Sequence, residues 1–225
     1  MLLRFELIKE NPLLLLYMLP ALVLSLTLHE WAHAFVAYKC GDSTARNLGR
    51  MTLNPIAHFD LIGSLCLLLV GFGWAKPVPI NPRNFQKIRR DTILVSLAGV
   101  AMNFLMLVFF TLLMSICIRL DIELLFNEAF MYIMQYFIVF NLSLMLFNLI
   151  PLPPLDGYNV LETLLVRKLP INFFMFVRRY GRWILLGLLL AGSINTRFDV
   201  IGMYLRWGLN LVFSAVSAIS GVPFI

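Results

Sequence analysis

Residues 12–38 read PLLLLYMLPALVLSLTLHEWAHAFVAY, a run in which Glu30 is the one carboxylate and no lysine or arginine occurs. Wound as a helix rising about 1.5 Å per residue, such a stretch is long enough to cross a hydrocarbon core of about 30 Å. The rest of the chain agrees with it. Ordinary soluble domains are about 45–50% apolar and about 25% charged. These 225 residues are 60% hydrophobic and 13% charged, with a mean hydropathy of +0.86. The chain is therefore read as an all-α polytopic membrane protein. The length allows one compact bundle of about five or six transmembrane helices and no additional soluble domain. No small-x-small cleavage site precedes His29, so the first span is read as a permanent helix rather than a removed signal. Cys40, Cys66 and Cys117 are odd in number and scattered, which predicts free buried thiols and no disulfide framework.

Outward from that helix, residues 40–60 are polar and rich in turn formers, including Gly41-Asp42-Ser43 and Asn54-Pro55. The apolar run 61–73 is too short to cross, reaching about 20 Å as a helix. It predicts a re-entrant segment near 61–80, continued as an extended stretch by Pro77, Pro79 and Pro82. Residues 92–118 and 129–150 predict two spans, the second broken by Pro151-Leu152-Pro153-Pro154. Two more are expected near 175–194 and 200–222, with edges blurred by Arg178, Arg179, Arg182 and Arg206.

The net charge of +6 reads as topology rather than as nucleic-acid affinity. Residues 74–91 carry five basic side chains against one acid, and residues 156–182 carry five against two. Residues 119–128 carry one against three. By the positive-inside rule the first two connections face the cytoplasm and the third faces outward. The first span then runs inward, which brings His29 and His33 to the same depth as Asp156.

His29-Glu30-Trp31-Ala32-His33 is the pattern that carries chemistry. Residues four apart on a helix share a face, so both imidazoles can point at one metal ion, with Glu30 beside them to hold a water. Buried in a lipid-immersed helix, three such groups are costly unless they share a task. A catalytic zinc takes three protein ligands and keeps one position open. For the third ligand Asp156 is the better candidate, since it lies at membrane depth beyond a proline break, with Gly157 permitting close approach. The competing reading is a cap for the helix that follows, and both roles can hold at once. His58, in a polar loop, is read as a structural histidine. Asn141 is read as a helix–helix hydrogen-bonding amide.

With these residues assembled, the chain resembles the site-2 protease family of intramembrane zinc metalloproteases, in its small branch without a PDZ domain. The likeness rests on His29–His33, on Gly99-Val100-Ala101-Met102-Asn103 and on the block from Asn148 through Pro151-Leu152-Pro153-Pro154 to Asp156-Gly157. The loop stretches Gly49–Pro55 and Trp74–Pro79 add to it. Val100 departs from the proline that many relatives carry. The resemblance implies one zinc ion on His29, His33 and Asp156, with Glu30 as base, and Asn103 and Asn148 contacting substrate or steadying the transition state. It implies one membrane-embedded metalloprotease domain over 1–225, with core 13–160 and C-terminal helices 161–225. The expected activity is hydrolysis of peptide bonds in transmembrane segments of membrane proteins, in regulated intramembrane proteolysis. The expected partners are a substrate helix and the lipid bilayer of the cell membrane, with no nucleic acid, and the active site faces the cytoplasm. An extended substrate strip is expected to add to the Lys76–Asn81 edge. The rivals are a membrane metal transporter and an inactive, partner-binding homologue. A transport site gains nothing from a glutamate directly after the first histidine, and no repeated halves are visible.

Overall fold

The computed structural model describes residues 13–60, 63, 75–122 and 127–221. Among them are seven α-helices and no strand. In chain order these are α1 (Leu13–Lys39), α2 (Thr44–Asn47), α3 (Ile88–Arg119), α4 (Glu128–Asn148), α5 (Asp156–Leu165), α6 (Ile171–Ile194) and α7 (Val200–Ser220). The helix ends follow local chemistry. Asn127 accepts from the Ala129 and Phe130 N–H groups to start α4, and Asp199 accepts from Gly202 N–H to start α7. Gly221 closes α7 in the left-handed conformation, φ +75°. α4 stops at Asn148, just ahead of the proline cluster.

Among the described residues, four helices are long and apolar enough to cross a membrane: α1, α3, α4 and α7. α6 covers the stretch expected as a further span, but three arginines sit in the middle of it: Arg178, Arg179 and Arg182. The apolar part beyond Trp183 is too short to cross by itself, so α6 falls outside the four. The re-entrant segment expected near 61–80 lies mostly on 61–62 and 64–74, outside the described residues. Residues 75–80 carry no regular secondary structure. Cys40 and Cys117 are free and buried, as expected, while Cys66 lies outside the described residues.

α1, α3 and α4 pack on one another as a central three-helix unit, α7 covers α3 and α4, and α6 lies against α7. Met18 and Leu22 of α1 meet Leu107, Phe110 and Met114 of α3 and Phe137 of α4 in the largest core cluster. The Phe110 and Phe137 rings stack with centroids 4.0 Å apart. Between helices in lipid this is mainly dispersion, because lipid tails are as apolar as leucine. Leu16, Leu105, Phe109 and Trp207 face outward, where a bilayer solvates them.

At the end of α1 the chain folds back over the bundle. Asp42 is wholly buried and accepts hydrogen bonds from Thr44 N–H and Oγ1, Asn81 N–H and Asn84 Nδ2. Lys76 N–H donates to the His58 carbonyl at 2.9 Å, and Arg50 Nη2 donates to the Lys76 carbonyl at 2.8 Å. These bonds hold residues 75–84 as a strap across the C-terminal end of α1.

Candidate metal centre

His29 and His33, one turn apart on α1, are 4% and 6% exposed. Their Nε2 atoms are 3.0 Å apart. Asp156 Oδ2, from the first turn of α5, lies 3.4 Å from His29 Nε2 and 3.2 Å from His33 Nε2. Leu155, not Asp156, occupies the cap position of α5. Of the two roles open to Asp156, the carboxylate is turned to the histidines.

Hydrogen bonds on the far sides of the rings determine what the near sides present. His33 Nδ1 is 2.7 Å from the Val95 carbonyl, which can only accept, so Nδ1 carries a proton and the neutral ring turns its lone pair on Nε2 to the near side. His29 Nδ1 is 2.6 Å from Asn103 Oδ1 and is set in the same way. Two imidazole lone pairs and a carboxylate oxygen thus converge, and Asp156 Oδ2 is buried with no hydrogen-bond partner of its own. With both rings neutral, the three lone pairs repel one another unless a cation sits between them. The edges of a tetrahedron with arms of about 2.0–2.1 Å are about 3.3 Å long. The three separations of 3.0, 3.2 and 3.4 Å fit that shape, so the residues present fit a zinc ion. These are also the three described His, Cys, Asp or Glu side chains grouped closely enough to hold a metal.

Glu30 lies in the same cavity of about 240 Å³, which Ser96, Val78, Asn148 and Asn159 also line. Its Oε2 accepts from Val78 N–H at 2.9 Å, so the strap is tied directly to this carboxylate. Asn148 Nδ2 is held by the Leu144 carbonyl at 3.0 Å. Asn103 is different. It is fully buried behind His29 rather than on the cavity wall, and it reaches the cavity only through that ring. His58 Nε2 donates to the Thr52 carbonyl at 2.8 Å, away from the cluster. A larger open groove of about 490 Å³ runs along Arg178, Arg182 and Leu186 of α6, but it contains none of these groups.

Gly99 explains how two helices come this close. A Cβ there would lie 2.5 Å from His29 Cε1 and 2.5 Å from His33 Nε2. Gly157 does the same at the bend, where a Cβ would run into the Leu149 carbonyl. Sequence reasoning missed the parts played by Val95, Ser96 and Asn159. No signal marks Val95, which acts through its main chain. Ser96 and Asn159 are small polar residues lying near recognised ones, Asn159 one helical turn after Asp156.

The fold and this donor set define a membrane-embedded metallopeptidase. The model of peptidase family M50 matches residues 115–188, a stretch that includes Asp156. The chain is 45% identical over 150 residues to "Putative zinc metalloprotease YwhC" of Bacillus subtilis, covering 66% of this chain and 68% of that one. It is 32% identical over 184 residues to "Putative zinc metalloprotease Rip2" of Mycobacterium tuberculosis H37Rv, covering 78% and 67%. Its identity to the Rip2 protein of Mycolicibacterium smegmatis is 28% over 200 residues, covering 85% and 69%. No solved structure matches significantly. The chain belongs to peptidase family M50. It is a multi-pass intramembrane metalloprotease with zinc as its cofactor, and nothing in the comparisons favours a metal transporter.

Proposed function

We propose that His29, His33 and Asp156 hold the single zinc ion, and that Glu30 is the general base that cleaves transmembrane segments of membrane-protein substrates. The observation that carries this reading is the convergence of two imidazole Nε2 atoms on a buried carboxylate oxygen with no hydrogen-bond partner of its own. Zinc bound there supplies Lewis acidity to water and to the scissile carbonyl. The chain's own residues do the rest. Glu30 is fixed through Oε2 by Val78 N–H, which leaves Oε1 to take a proton from water and return it to the leaving amine. Ser96, Asn148 and Asn159 give the cavity polar walls that admit water. Asn148, tied by Nδ2 to its own helix, keeps Oδ1 for a substrate N–H.

A substrate helix hides its carbonyls in its own hydrogen bonds, so it must unwind before attack. The Lys76–Asn81 edge receives it differently from a simple added strand. Pro77 and Pro79 have no N–H, while those of Lys76 and Val78 are already given to His58 and Glu30. Over 76–79 the strap therefore offers an unwound segment acceptors only. The cytoplasmic orientation of the site rests on charge. Arg89 of α3 donates to the Thr163 and Leu164 carbonyls of α5, so two strongly basic segments meet at the end of the bundle that holds the site. All of this belongs to one membrane-embedded domain.

The decisive variant is Glu30→Gln in purified full-length protein. It keeps shape and cavity while removing the base, so one zinc per chain is retained and cleavage of a membrane substrate falls at least about 100-fold. Cleavage at the wild-type rate would overturn the mechanism.

A further inference from the structure

Behind His29 runs a line of buried polar groups that the proteolytic reaction does not itself use. Asn103 of α3, Asn141 of α4 and Ser25 of α1 are each wholly buried. Asn141 Nδ2 lies 2.8 Å from the Phe137 carbonyl and 2.8 Å from Ser25 Oγ. Asn141 Oδ1 accepts from Asn103 Nδ2 at 2.9 Å, and the same Nδ2 is 3.4 Å from the Ser25 carbonyl. Asn103 Oδ1 meets His29 Nδ1 at 2.6 Å.

Only one hydrogen-bond direction satisfies this line. The Phe137 carbonyl cannot donate, so it faces the amide nitrogen of Asn141 and turns that residue's oxygen towards Asn103. Asn103 must then offer its nitrogen to Asn141 and its oxygen to His29. His29 must answer with Nδ1–H, and its bare lone pair is left on Nε2, towards Asp156 and His33. The other histidine is held differently, by a main-chain carbonyl that no side-chain substitution removes. Amides between membrane helices ordinarily serve as packing contacts. This line ends on the imidazole of a donor atom, and an outer partner of that kind sets ring tautomer and orientation.

We propose that Asn141, remote from the cavity and on a helix that supplies no donor atom, is a positioning residue for the metal centre. Acting through Asn103, it locks His29 in the Nδ1–H tautomer. The proposal rests on the zinc reading of His29, His33 and Asp156.

The test uses full-length protein in detergent, with zinc affinity measured by competition against a chromophoric chelator. In parallel, 15N NMR of histidine-labelled, zinc-stripped protein reports the tautomer of His29. Asn141→Leu, of the same branched shape but without polar atoms, frees Asn103 to turn over. Its zinc Kd should rise about 10–100-fold, and the single Nδ1–H signature of His29 should give way to a mixture, with that of His33 unchanged. Should Asn141→Leu fail to fold, Asn141→Ser keeps a small polar group too short to reach Asn103 and should show the same two changes. A folded variant with wild-type zinc affinity and an unaltered His29 tautomer would overturn the proposal. Wild-type protein that shows the Nδ1–H tautomer yet binds no zinc would sink the zinc reading instead, with the relay left standing.

Discussion

At the scale of single residues, the centre depends as much on a missing side chain as on those present. Gly99 puts bare backbone against both imidazoles, and any Cβ would have to displace them. Gly99→Ala is therefore expected to shift the rings by a good fraction of an ångström while α3 stays helical, alanine being the better helix former. Displacements of that size cost about 100-fold in rate. The check is metal analysis together with cleavage assays. Zinc content and activity should fall together while the far-ultraviolet circular dichroism is retained. An alanine variant with full zinc and full activity would mean that the rings have more room than the structure gives them.

At the scale of elements, the strap over 75–84 is the part most sensitive to conditions. Burial pushes the Asp42 carboxyl up, but bonds from the Thr44 hydroxyl, the Asn81 N–H, the Asn84 amide and the Thr44 N–H outweigh it and hold the group below its ordinary 3.8. A depressed carboxyl stabilises the fold above its unfolded pKa and loses that contribution as pH falls through the folded value. The strap should stay pinned at neutral pH and loosen only below about pH 4. Hydrogen exchange over 76–84 is the measurement. Asp42→Asn should exchange about 30-fold faster at neutral pH, the equivalent of about 2 kcal/mol of lost charge-assisted bonding, and should lose the acid dependence. Equal exchange in both proteins would show that Arg50 and Glu30 hold the strap unaided.

At the scale of the whole molecule, the bundle sets one strongly basic end against an acidic one. Lys76, Arg83, Lys87, Arg89 and Arg90 lie between the start of the strap and the first turn of α3, while Asp121 and Glu128 lie beyond the other end of that helix. With the site at the basic end, a cysteine placed at Arg83 should react with a membrane-impermeant thiol reagent only in inverted vesicles. One at Asp121 should react in intact cells. The reverse pattern would place the zinc on the outer face.

Much of this was legible in the chain itself. Apolar runs of spanning length imposed a helical membrane protein, because hydrocarbon leaves an unpaired backbone no alternative. The four-residue spacing of His29 and His33 imposed a shared face, because local helix geometry requires it. Asp156 could be put forward as their partner from charge and depth alone, with capping as its competitor. Where that carboxylate points is visible only in the folded bundle, since its direction depends on what packs against it. The same holds for Asn103, which stands behind a ring rather than before a substrate, and for the tie between Val78 and Glu30. Periodicity and spacing act within one segment, whereas tautomer, orientation and closeness of approach arise where α1, α3, α4 and α5 meet, through contacts between residues as distant in sequence as His29 and Asp156.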